Sequence, residues 1–183
     1  MSSPLLQKDT QYTIDDYISW DDEVRYELIN GVAYALSSPN HKHQRITRRL
    51  STVLDTFLKG KPCELFFAPS DVKLDEHTVI QPDLFVVCDK TKLDGQFTNG
   101  APDFVIEILS PETARKDLLV KHNKYLEAKV REYWIIDPEG ETIDVFHLDN
   151  ENFVNTEHKR KEKVAVKVLF DCVIDMSEIF VEL

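Results

Sequence analysis

Phe104-Val105-Ile106-Glu107-Ile108-Leu109 is an apolar run interrupted by one acid, Glu107. A continuous apolar run of this length reads as a strand buried on both faces of a sheet. A second run, Leu84-Phe85-Val86-Val87, follows directly on Asp83. A carboxylate inside or beside such a strand is costly unless something positive answers it. Two of them, on strands close enough in sequence to be neighbours, suit a bound cation. The segment from Ala114 to Ala128 then shows helical periodicity, with Ala114, Leu118, Lys121, Tyr125 and Ala128 along one face. Lys121 is the only charge on that stripe. Two inward acids and an inward lysine form the set used in metal-assisted phosphodiester chemistry.

Local signals outward from this region give an α/β pattern. Thr13 with Asp16 makes a capping box and opens a short helix through Trp20. Asn30-Gly31, between Val24–Ile29 and Val32–Leu36, is the strongest short-range hairpin signal. A helix is predicted from about His41 to Lys59, with Ile46, Leu50, Val53, Leu54, Phe57 and Leu58 facing inward and the Ser37-Ser38-Pro39-Asn40 cluster offering an N-cap. Strands are predicted over 64–68, 71–74, 79–87, 133–136, 142–148 and 163–170, with a loop over 89–101 and a short final helix near 177–180. No repeat or internal boundary is visible, so 1–183 reads as one domain.

Composition narrows the function classes. The chain has 183 residues and a formal net charge of −11. An acidic protein repels nucleic-acid phosphates at long range unless its bases are gathered locally. Arg45, Arg48 and Arg49 gather on one predicted helix, and Arg115, Lys116, Lys121 and Lys124 on another. The basic run from His158 to Lys163 reads as a solvated loop. No stretch is long and apolar enough for a membrane span, and the first residues lack a basic start followed by an apolar block, so a cytoplasmic protein is expected. Cys63, Cys88 and Cys172 are expected to be reduced thiols rather than zinc ligands.

Mg²⁺ is typically held by one or two carboxylates plus waters and substrate phosphate oxygens. Asp83 and Glu107 are the candidate metal ligands, with Mn²⁺ as an alternative ion. Lys121 is the candidate for orienting the attacking water or offsetting charge on the phosphate. Two readings stay open for it: pointing inward, or snorkelling to solvent. Glu27, in the first hairpin, is either a further site acid or the partner of an exposed lysine. His43 is either a phosphate or acid–base group, or a surface histidine near a helix start. Ser110 lacks a Gly-x-Ser-x-Gly elbow, and no phosphate-binding glycine motif is present. A glycosidase pair of Asp83 and Glu107 would leave the lysine unexplained.

The strings YELINGVAYALSSPNHKHQRI, VIQPDLFVV, GAPDFVIEILSPETARKD, LLVKHNKYLEAKVREYWIIDP and FDCVIDMSEIF resemble the large bacterial family of restriction-endonuclease-like proteins, long filed as a domain of unknown function. The resemblance runs from about Thr13 to Phe180. It implies the PD-(D/E)XK nuclease fold, a mixed central sheet flanked by helices, and a site at Glu27, Asp83, Glu107 and Lys121. With the site chemistry it implies Mg²⁺-dependent endonuclease activity on nucleic acid, with DNA the expected substrate. The wider superfamily carries a lysine two residues beyond the strand acid, where this chain has Leu109. Lys129 stands where glycine is common after a helix, at a cost of about 1 kcal/mol. A two-fold dimer would suit cleavage of both strands, with Tyr133-Trp134 as either contact or core. A binding module without turnover, and a hydrolase of smaller substrates, are the rival readings.

Overall fold

The computed structural model describes residues 11–21, 24–110 and 115–181, and for 115–118 the backbone alone. Ala114 and the side chains of Arg115, Lys116 and Leu118 therefore lie outside the described residues.

Helix α1 (Ile14–Ser19) starts at the Thr13–Asp16 capping box. The hairpin β1 (Tyr26–Ile29) and β2 (Val32–Ala35) turns at Asn30-Gly31, whose φ angles are 52° and 75°. Positive φ at both positions is what a two-residue turn of this hand requires. Asn40 caps α2 (His41–Leu58) by accepting from the His43 N–H.

The chain then lays down β3 (Glu64–Phe67), β4 (Asp71–Asp75), β5 (Thr78–Ile80), β6 (Leu84–Val87), β7 (Phe97–Asn99) and β8 (Phe104–Ile108). Helix α3 (Arg115–Glu127) follows, then β9 (Glu132–Asp137), β10 (Thr142–Asp149), β11 (Asn152–Lys159), β12 (Lys163–Ala165), β13 (Val173–Asp175) and α4 (Met176–Ile179).

Two mixed sheets result. One has the order β2-β1-β5-β4-β7, the other β11-β10-β9-β8-β6-β3, and a small β12-β13 pair stands apart. Among the described strands, only β4 with β7 and β8 with β9 pair in parallel. The six-stranded sheet is covered on both faces, which is why β6 is apolar throughout and β8 is apolar except at Glu107. On one face, Ile46, Leu50, Leu54 and Leu58 of α2 pack with Leu84, Val86, Phe104, Ile106 and Trp134. On the other, Phe85, Val87, Val105 and Tyr133 meet Tyr125 and Val130, together with Ile29, Val72 and Ile80 of the five-stranded sheet. The link from β5 to β6, Gln81-Pro82-Asp83, carries the chain from one sheet to the other.

Several expectations need correcting. The segment 89–101 holds a 3-10 turn, Lys90–Lys92, and strand β7, rather than only loop. β11 takes up 152–159, including His158 and Lys159 of the run read as a loop; its pairing with β10 supplies order that its polar sequence does not advertise. The strand expected over 163–170 stops at Ala165. Tyr133 and Trp134 are fully buried, so neither is a dimer contact. Cys63 and Cys88 form a disulfide, and of the three cysteines only buried Cys172 is a free thiol.

Candidate metal and phosphodiester site

Strand register brings the two acids together. β6 runs antiparallel to β8 with Leu84 opposite Ile106 and Phe85 opposite Val105. One more step in that register sets Asp83 opposite Glu107, on the same face of the sheet. Glu107 shares that face with Val105, toward α3. Lys121 and Tyr125, one helical turn apart, reach it from α3. Glu27 projects from the five-stranded sheet, two residues before Ile29 and thus on the face that meets the same layer.

The contacts are short. Lys121 Nζ lies 2.7 Å from Glu27 Oε1 and 3.1 Å from Glu107 Oε1. Its side chain is only 13% exposed, which decides against snorkelling. Tyr125 donates its hydroxyl to Glu107 Oε1 at 2.6 Å. The Gln81 N–H holds Glu27 Oε1 at 2.8 Å. Asp83 Oδ2 accepts from the Ile108 N–H at 2.8 Å and pairs with His43 Nε2 at 3.0 Å. Asp83, Glu107, Lys121 and His43 line one cleft of about 290 Å³, with Arg25 and Gln44 also on its wall.

Electrostatics follow from three carboxyl groups around one ammonium. Burial pushes the Glu107 carboxyl up to about 7; Lys121 opposes this, while Asp83 and Glu27 add to it. Burial works against the Lys121 ammonium, yet Glu107 and Glu27 outweigh it and hold its pKa above the ordinary lysine value. Burial, reinforced by Glu107, raises the Tyr125 hydroxyl, so it stays a donor. With all three acids ionised, the group carries two more negative charges than Lys121 offsets, which a dication would neutralise.

The way the carboxyl oxygens are used separates this group from ordinary buried acids. Glu132 has both oxygens engaged, by Trp134 Nε1 at 2.8 Å and the Val168 N–H at 2.9 Å. Asp103 likewise uses one for Arg131 and the other for the Cys88 N–H. Glu107, Asp83 and Glu27 each engage one oxygen and leave the second without a hydrogen bond among the described residues. None of these second oxygens is a sealed, unsatisfied atom. Two such carboxylates on one cleft fit a hard dication that takes oxygen ligands and keeps waters. Among the described residues no group of three or more His, Cys, Asp or Glu side chains forms a metal cage, so Asp83 and Glu107 would supply two ligands of a mostly hydrated ion.

Other groups complete this environment. His43 is buried against Asp83 rather than on the surface. Tyr125 was visible only as an apolar stripe member, although a stripe tyrosine at i+4 from a buried lysine was an available hint. Gln81 and the Ile108 N–H act through backbone groups, which leave no residue-type signal. Of the basic helix face, Arg49 is committed elsewhere, to the carbonyls of Ile179 and Val181.

Comparison with known proteins agrees with this fold. A crystal structure titled as a "putative nuclease belonging to DUF820" from Anabaena variabilis superposes with a TM-score of 0.80, covering 92% of this chain and 97% of that one at 20% identity. An uncharacterised Synechocystis protein, slr1290, is 29% identical over 148 residues, 75% of this chain and 74% of its own. The profile of the Uma2 family, described as "Putative restriction endonuclease", matches residues 14–176. With nearly its whole length inside that match, the chain belongs to the Uma2 family.

Proposed function

We propose that this protein is a Mg²⁺-dependent endonuclease that hydrolyses phosphodiester bonds in DNA, with Mn²⁺ able to serve in place of Mg²⁺. The observation that carries the reading is Lys121, buried between Glu27 and Glu107 at 2.7 and 3.1 Å beside a cleft that Asp83 also lines. The family's description as a restriction endonuclease points the same way. When bound, the metal would supply Lewis-acid polarisation of the phosphate and a water of lowered pKa. Asp83 and Glu107 would hold it. The Ile108 N–H and His43 keep Asp83 in place, and Tyr125 does the same for Glu107. Lys121 offsets negative charge building on the phosphate oxygens as water attacks phosphorus and the P–O bond to the leaving oxygen breaks. Glu27 anchors the lysine for that task.

A cleavage panel tests the reading: duplex, single-stranded and branched DNA, and RNA, with Mg²⁺, Mn²⁺ or EDTA. Metal-dependent cleavage of DNA, lost in Lys121→Met, is the expected result. Metal binding with no cleavage of any polynucleotide would shift the reading to a hydrolase of smaller substrates. Absence of metal binding would leave a binding module, the reading that the −11 charge favours. Cutting both strands suits a homodimer, and light scattering at tens of micromolar tests it. A DNA substrate goes with a cytoplasmic location, and no helix among the described residues is long and apolar enough to cross a membrane. The Cys63–Cys88 bond argues against that compartment, because cytosolic thiol pools reduce such bonds. Cleavage with and without reductant weighs the two.

A further inference from the structure

Three of the arginines among the described residues have their charge answered: Arg49 by the carbonyls of Ile179 and Val181, Arg131 by Asp103, and Arg160 by Glu141. The guanidinium groups of Arg25, Arg45 and Arg48 make no ion pair or hydrogen bond with any described residue, and all three side chains are exposed. In a chain with 33 acids against 22 lysines and arginines, such unanswered guanidinium groups would be expected to scatter. Instead all three lie on the wall of the acidic cleft or on α2, a helix that lines it. Arg25 is on its wall, as are Gln44 and Thr47 of α2. Positions 41, 44, 45 and 48 share one exposed face of that helix, and Arg48 stands about 6 Å along the axis from Gln44.

We propose that this face of α2, with Arg25 at the rim, is the track along which the phosphate backbone of a DNA strand lies as it enters the cleft. The inference rests on the nuclease reading above and adds to it the surface that holds the substrate. Charge complementarity identifies the occupant. A site with an excess of negative charge repels phosphates, so a cationic approach is needed beside it. Guanidinium groups suit it because their planar fork matches phosphate oxygens and their charge never titrates away. The same track explains how a chain of net charge −11 can approach a polyanion: the attraction is local, not global.

Fluorescence anisotropy with labelled DNA tests this, using the full chain carrying Glu107→Gln so that substrate survives in Mg²⁺. The joint variant Arg45→Ala with Arg48→Ala should lower the slope of log K against log salt by about 1.4 for a single strand or about 1.8 for a duplex. At 0.1 M salt this corresponds to binding weaker by roughly 25-fold or 60-fold respectively. Mn²⁺ affinity, measured in the wild-type Glu107 background, should not change. Arg131→Ala is the control: Phe104 pairs with Glu132 in the parallel β8–β9 ladder, so Arg131 lies at the end of β8 away from Glu107. It should bind within twofold of its parent. An unchanged salt slope in the arginine pair, or an equal loss in Arg131→Ala, overturns the track. Failure of the parent protein to bind either form of DNA overturns the nuclease reading itself.

Discussion

Glu107→Gln gives a pH-dependent stability difference whose sign depends on what the acid is for. Glu107 is buried, and its carboxyl is raised from an ordinary 4.5 to about 7, first by burial and then by Asp83 and Glu27 acting against Lys121. An acid whose folded pKa lies above its unfolded one supports the fold while protonated. That support is complete below about 4.5 and is lost as pH rises toward 7. A rise of this size corresponds to roughly 3 kcal/mol, as an order of magnitude. Glutamine cannot titrate and keeps an oxygen to accept from Tyr125 and Lys121. Lys121 also keeps Glu27 at 2.7 Å, so the substitution does not orphan its charge. The two proteins should therefore be about equally stable near pH 5, and the variant more stable by up to about 3 kcal/mol at pH 8 without metal. For a domain of this size that is a rise in Tm of roughly 6–12 °C. Mg²⁺ at a hundredfold excess over its Kd should then stabilise the wild type by about 2.7 kcal/mol and the variant far less. Thermal melts from pH 5 to 8, in EDTA and in Mg²⁺, measure all of this. A variant less stable by roughly 3–5 kcal/mol, with a gap that pH and Mg²⁺ leave unchanged, would show that Glu107 serves as a structural partner for Lys121 and would refute the reasoning.

Lys121→Met should strip the buried Glu27 and Glu107 of their cation, destabilising the protein by roughly 3–5 kcal/mol at pH 8; the loss should shrink at pH 5, where Glu107 is protonated, and denaturant melts at the two pH values test that. His43→Ala removes the group holding Asp83 Oδ2 and should weaken Mn²⁺ binding by about 10–100-fold, while His43→Gln, which keeps a donor, should stay closer to wild type by calorimetric titration. Lys129 has φ 60°, just after α3, where the Val130 N–H returns to the Tyr125 carbonyl. Lys129→Gly should accordingly stabilise by about 1 kcal/mol, read as a Tm rise of roughly 2–4 °C, with metal affinity unchanged.

The sequence by itself determined those features whose causes act over a few residues. The Thr13–Asp16 box, the Asn30-Gly31 hairpin and the amphipathic α2 are each a local match between side chain and backbone, and the left-handed strain at Lys129 is a local mismatch. The buried strands β6 and β8 were legible because burial on both faces leaves no room for polar alternation, and Asp83 and Glu107 stood out against that background. Weakly patterned strands did not show: β7 has three residues, and β11 is polar and mostly exposed, so each owes its order to a neighbour rather than to its own side chains. Only the tertiary structure decided which charges meet. Glu27, Glu107 and Lys121 come from two sheets and a helix, and nothing short of packing those layers together puts one ammonium between the two acids. The same holds for His43 against Asp83, and for Arg49, which looked like part of a basic surface until the C-terminal carbonyls claimed it. A buried charge is visible in a sequence as an exception to hydrophobicity; its partner is not, because electrostatic pairing depends on distance in space, and distance along the chain carries no record of it.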